Sequence, residues 1–194
     1  MTEEKAATTT EPKKYNKNMK QETFTSKRGT EYLFTYPGTF YVQKNVMDAS
    51  MRNGVQDTTL LNEAIMQHIL EGDYDWNYFD KKVATKDRSE SIAVRDFDDT
   101  EVTYNFKFPG FQRIIKLQAE ATADDGSLMT AEYYKGLMKH VITNEEVNFS
   151  YWDHHEGYTE VMQEADLFIG TIVNNSEYQE VMTAASDFVG KMFR

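Results

Sequence analysis

A large part of this chain is written twice, and any fold it adopts must accommodate both copies. Placing YLFTYPG (32–38) over YNFKFPG (104–110) sets an offset of 72, which continues without a gap into AIMQHIL (64–70) over GLMKHVI (136–142). Ten of the 39 pairs from 32/104 to 70/142 are identical: Tyr32/Tyr104, Phe34/Phe106, Pro37/Pro109, Gly38/Gly110, Lys44/Lys116, Ala49/Ala121, Gly54/Gly126, Thr58/Thr130, Met66/Met138 and His68/His140. Unrelated segments of that length would share roughly two or three, so the period is read as a tandem duplication. After one inserted residue the match resumes as WNYFD (76–80) over FSYWD (149–153).

Two copies of one fold refine each other. Around Arg28-Gly29, TFTSKRGTEYLFTY has β-branched and aromatic residues on both sides of a turn, which predicts a hairpin starting near Glu22; ESIAVRDFDDTEVTYNF predicts its counterpart. After each Pro-Gly, Val42, Val46, Ala49 and Ile114, Leu117, Ala121 fall at helical spacing, ending near Asn53-Gly54 and Asp125-Gly126. A second helix follows Thr58 and Thr130, each read as an N-cap, and carries the stripes Leu61, Ile65, Ile69 and Tyr133, Leu137, Val141. The aromatic segments come next, and their alternation with Asp and Asn suggests half-buried extended chain. KKVATKDRSE (81–90) then reads as a polar linker.

Beyond the second copy, Val161, Ala165, Phe168 and then Val181, Ala185, Phe188, Met192 predict two more helices, expected to cap the second repeat. The fold class is α+β, a duplicated hairpin-helix-helix unit with additional C-terminal helices. The expected division is a disordered arm over 1–21, a first repeat with linker over 22–90, and a second repeat with the extra helices over 91–194. The arm lacks apolar periodicity and cannot offset the entropy of ordering.

Charge narrows the function. Residues 1–30 hold seven Lys/Arg against four Asp/Glu, leaving 14 against 28, a net of −14, for residues 31–194. A body so acidic repels phosphate, so nucleic acid is not an expected partner. No window approaches the ~18 apolar residues of a membrane helix and no apolar leader opens the chain, so the expectation is a soluble, cytoplasmic protein without a membrane partner. With no cysteine there is no disulfide or thiolate chemistry.

Chemistry-bearing patterns are weak. Asp153, His154, His155, Glu156, with His140 a helix away, are the residue types of a metal site, but adjacent His side chains diverge, and useful helical pairs sit at i, i+3 or i, i+4. His140 matches His68 in the first copy, where His154 and His155 have no counterpart; a structural or capping role for His68 and His140 is the simpler reading. The Asp73, Asp75 and Asp96, Asp98, Asp99 clusters lack the Gly and Glu positions of a calcium loop. Phosphate-binding and nucleophile-elbow motifs are absent from the sequence. No catalytic residue, cofactor or metal ligand is assigned. Two aromatic clusters remain, and Trp76, Tyr78, Phe79, Tyr151 and Trp152 are the candidate partner-binding residues, with core packing as the competing role.

The stretch FKFPGFQRIIKLQAEATADDGSLMTAEYYKGLMKHVITNEEVNFSYWDHHEGYTEVMQEADLFIG resembles the tail assembly chaperones of tailed bacteriophages of Gram-positive hosts. That family pairs an aromatic–Pro-Gly start and a helix with an E-[FY]-[YF]-x-x-L-M-x-H-V-I helix, an aromatic Asp-containing segment and a final amphipathic helix. The resemblance covers residues 104–170, with 32–80 a more diverged copy; the doubling and the arm depart from a single-copy member. It implies a non-enzymatic protein of the host cytoplasm that coats the tape measure protein, keeps it soluble and helps recruit tail tube subunits, with a homo-oligomer among its expected assemblies. The 10 Met and 24 Phe and Tyr residues on an acidic body suit such a role. The alternatives are a structural protein of the phage tail or neck and, less favoured, a metal-dependent hydrolase using His140, His154 and His155.

Overall fold

The computed structural model describes residues 20–123 and 125–193. Of the arm expected over 1–21, residues 1–19 lie outside that range. Lys20 and Gln21, placed in that arm, belong instead to the first strand. Among the described residues the α+β class holds, with three small two-stranded antiparallel sheets and a majority of helix.

The first hairpin pairs β1 (Lys20–Thr25) with β2 (Glu31–Tyr36). From Pro37-Gly38 the chain enters α1 (Thr39–Val42), which continues as a π-helical turn (Gln43–Met47) and a 3-10 turn (Asp48–Ser50). A two-residue ribbon follows, β3 (Met51–Arg52) against β4 (Val55–Gln56), and then α2 (Thr58–His68) and α3 (Trp76–Lys82). The second unit repeats the order: a hairpin of β5 (Ser89–Arg95) and β6 (Glu101–Lys107), then α4 (Phe111–Glu120), α5 (Thr130–His140) and a 3-10 turn (Tyr151–Asp153). Two long helices follow, α6 (Tyr158–Asn174) and α7 (Glu177–Met192). No helix among the described residues is long and apolar enough to cross a membrane.

The duplication extends to individual hydrogen bonds. Thr35 N–H donates to Ile69 O at 2.8 Å and Glu71 N–H to Leu33 O at 2.9 Å, which ties the residues after α2 to the outer edge of β2. In the second unit Lys107 N–H donates to Val141 O at 2.8 Å and Thr143 N–H to Asn105 O at 2.9 Å. The buried Tyr32 hydroxyl meets that of Tyr78 at 3.3 Å, and the buried Tyr104 hydroxyl meets that of Tyr151 at 3.1 Å. Gly38 and Gly110 turn the chain into the next helix with φ of 115° and 97°, a region closed to most side chains.

Five expectations need correction. The buried positions after the Pro-Gly are Val42, Val46 and Ser50 in the first copy but Ile114, Leu117 and Ala121 in the second. The first copy therefore holds one more residue within the helix, absorbed as its π-helical turn, and one fewer in the turn that follows, and Ala49 is left exposed. Thr58 and Thr130 are the first helical residues rather than caps. Asp57 caps α2, accepting from Thr59 and Leu60 N–H, while Met129 precedes α5 without a side-chain bond. The aromatic segments are helical rather than extended, because Asp75 accepts from Tyr78 N–H and Asn148 from Ser150 and Tyr151 N–H, each opening a turn. The supposed linker is built: Lys81 and Lys82 end α3, Thr85–Asp87 is a 3-10 turn, and β5 begins at Ser89.

Fifth, the last two helices do not both cap the second repeat. α6 packs on the second hairpin, with Phe168 6.0 Å from Phe106 between ring centroids; α7 crosses back to the first, with Phe188 5.8 Å from Phe34. These helices are themselves a repeat at an offset of 20. Between 158/178 and 170/190, Tyr158/Tyr178, Glu160/Glu180, Val161/Val181, Met162/Met182, Ala165/Ala185, Phe168/Phe188 and Gly170/Gly190 are identical. Each unit is thus a hairpin, two helices, an aromatic turn and one amphipathic helix laid across the sheet. The first unit receives its closing helix from the far end of the second, and one apolar core runs through both.

Candidate partner-binding cleft

Where the units meet, the end of α3, the Val83–Ser89 connection, the middle of α6 and the start of α7 surround a cleft of about 560 Å³. Its apolar walls include Phe79, Val83, Phe168, Ile172 and Leu167, and Leu167 is 61% exposed, beside the buried Phe168 on an otherwise polar face of α6. Charges of both signs rim it: Arg28, Lys82 and Lys86 against Asp87, Glu90 and Glu164.

At one end sits Glu177, whose side chain is fully buried. It is the first residue of α7, so its carboxylate lies at the positive end of the helix. Ser26 Oγ donates to Oε1 at 2.6 Å, while Oε2 lies 3.5 Å from Lys82 Nζ and takes no hydrogen bond. Burial pushes this carboxyl up, but the Ser26 and Thr30 hydroxyls, the Lys82 charge and the Tyr32 hydroxyl together outweigh it and hold it below its ordinary 4.5. Burial, reinforced by the Tyr78 hydroxyl and Glu177, pushes the Tyr32 phenol far above its usual range. Lys27 N–H adds a bond to Glu180 Oε2 at 2.9 Å, so the first hairpin's turn is fastened to the first turn of α7.

The second hairpin has the matching fastening with different chemistry. Asp96, at the same place in its turn, accepts from Glu156 N–H at 2.9 Å and meets His155 Nδ1 at 2.5 Å, just before α6. The Glu156 N–H, and then His155, hold the Asp96 carboxyl below its ordinary value. His155 also stacks on Tyr151 at 3.9 Å.

The sequence-derived candidates are distributed as follows. Phe79 is fully buried and touches the cleft. Trp76 is half-buried, 5.4 Å from Tyr178, and its indole N–H donates to Glu63 at 2.9 Å. Tyr78 is half-buried under the Lys82 ammonium, which lies 5.1 Å from its ring centre. Tyr151 and Trp152 are half-buried against Tyr104, with the Trp152 N–H 3.4 Å from Met138 Sδ. These five are brought into two packed clusters, one per unit, and their rings are largely occupied by neighbours. Leu167, Arg28 and Glu177 were not singled out beforehand. The signal that could have found Leu167 is its place beside Phe168 on a helix face otherwise polar.

His154 is exposed, His155 is engaged by Asp96, and His140 ends α5, where burial, then the Arg113 and Lys139 charges, lower its pKa from 6.5. His68 bonds the Tyr41 hydroxyl at 3.1 Å. Among the described residues no three His, Asp or Glu side chains come together as a metal-holding group. Comparison with protein-family models, with curated proteins and with solved structures finds no match to the chain.

Proposed function

We propose that this protein is a non-enzymatic tail assembly chaperone of a tailed bacteriophage, which binds the tape measure protein in the host cytoplasm, keeps it soluble and helps recruit tail tube subunits. The observation that carries the reading is the cleft between the units, where an exposed Leu167 continues an apolar wall inside a rim of mixed charge. A long helical client offers an apolar stripe flanked by Lys and Glu, which matches such a wall and rim in the helix-in-groove manner. Acidic surface elsewhere, a net of −14 over residues 31–194, keeps a chaperone–client complex soluble through like-charge repulsion.

The test is co-expression with the tape measure protein encoded beside it, followed by affinity capture. Wild type should hold the client soluble, and Leu167→Glu, at an exposed position, should fold normally by circular dichroism but capture at least about tenfold less. Failure of the wild type to retain any tape measure fragment would overturn the reading; equal capture by the variant would move the client away from this cleft.

A further inference from the structure

The two units of one chain are joined by unlike faces. The second unit offers its β6–α4 corner: Phe111 N–H donates to Asp80 at 2.9 Å, Gln112 Nε2 to Glu63 at 2.8 Å, and Phe111 stacks on Tyr178 at 4.7 Å. The first unit receives it on α2 and α3, through Glu63 and Asp80, and the Trp76 indole N–H donates to the same Glu63 oxygen that accepts from Gln112. Closeness is enforced by Gly110, since a Cβ there would come within 2.9 Å of Asp80 Oδ2.

The internal repeat gives each face a counterpart that is left open. The counterpart of the offering corner is Gly38, Thr39, Phe40 and Tyr41, with Gly38 keeping the positive φ of Gly110. Phe40, at the place of Gln112, is 81% exposed. The counterpart of the receiving face is Lys135, Phe149, Asp153 and Tyr158, at the places of Glu63, Trp76, Asp80 and Tyr178. Phe149 is 43% exposed, and Lys135 and Asp153 are also exposed. Beside Phe149 lies a shallow hollow of about 610 Å³ floored by Met138, Ile142 and Val147. An aromatic corner and an apolar-floored hollow edged by Phe149 and Lys135 are complementary by burial and by cation–π attraction.

We infer that the partner of these two faces is a second copy of this chain, with the Phe40–Tyr41 corner of one molecule seated on the Phe149–Lys135 face of the next, repeating between molecules the junction that already joins the units within one. The contact is heterologous, so it propagates head to tail and closes into a ring or continues as a filament. It stands apart from the client cleft, none of whose residues it uses.

Sedimentation velocity of the full chain up to about 100 μM should show species heavier than the monomer, in the affinity range of a modest interface. Phe40→Glu and Phe149→Glu, both at exposed positions and checked by circular dichroism, should each leave only monomer. Because each variant keeps one intact face, an equimolar mixture should form a one-to-one dimer and nothing larger. A wild type that stays monomeric throughout, association that survives either substitution, or a mixture that fails to pair would each overturn the inference.

Discussion

Replacing Glu177 tests whether the first hairpin and the last helix are truly fastened to each other through a buried charge. Alanine removes the 2.6 Å bond from Ser26, leaves that buried hydroxyl without its acceptor and takes away the carboxylate 3.5 Å from Lys82 Nζ. A hydrogen bond to a charged group contributes about 1.5–3 kcal/mol, and the stranded polar atoms add to the loss. Lys82, whose side chain is 35% exposed, can turn to water and limits the damage. The expected cost of Glu177→Ala is therefore about 3 kcal/mol at neutral pH, or roughly 6–12 °C in melting temperature for a chain of this size. Glu177→Gln keeps the shape and loses only the charge, so about 1–2 kcal/mol is expected. Its pH dependence carries the sign. Because the folded carboxyl sits below its ordinary 4.5, its stabilising contribution is fully present above that value and disappears as pH falls through the folded value. Wild type and Glu177→Gln, followed by thermal melts between neutral and acidic pH, should differ at neutral pH and converge in acid. Melting of Glu177→Ala within a degree or so of wild type, or a gap to Glu177→Gln that widens on acidification, would refute the buried-charge account.

Phe168→Ala and Phe188→Ala remove the same side chain from the two copies of the closing helix, and each should cost about 3–5 kcal/mol in chemical denaturation. A large difference between them would show that the two hairpins are not equivalent seats. Trp76→Ala and Trp152→Ala should each destabilise the fold by about 2 kcal/mol, since both rings are packed and both N–H groups are engaged; unchanged urea midpoints would free them for a partner-binding role.

Much of this architecture was legible in the sequence, for reasons that are local. The Pro-Gly corners, the i, i+4 stripes of α2 and α5 and the hairpin turns are short-range patterns, and the 72-residue offset doubled each signal. The helical aromatic segments were not read, because WNYFD alternates like a strand and only the Asp75 cap reverses that preference. The π-helical turn escaped for a similar reason: a gap-free alignment matched Ala49 to Ala121, whereas burial matches Ser50 to it. The seating of α7 on the first hairpin depends on contacts 151 residues apart, such as Ser26 to Glu177, and no periodicity reports them. The cleft was invisible for the same cause. Its walls come from α3, the Val83–Ser89 connection, α6 and α7, which are ordinary segments until the chain doubles back.

That return of α7 sets an order of events during synthesis. The second unit has its closing helix immediately after its aromatic turn, whereas the first must wait for about 110 further residues, roughly 5–20 s at ribosomal speed. Throughout that interval the Phe34 and Tyr36 side of the first hairpin lacks the helix that buries it. A nascent chain therefore displays, on the ribosome, an apolar seat shaped for an amphipathic helix, at the moment when helices of other new chains are nearest. Translation speed across residues 83–192 thus decides how long that seat is open to a helix other than α7.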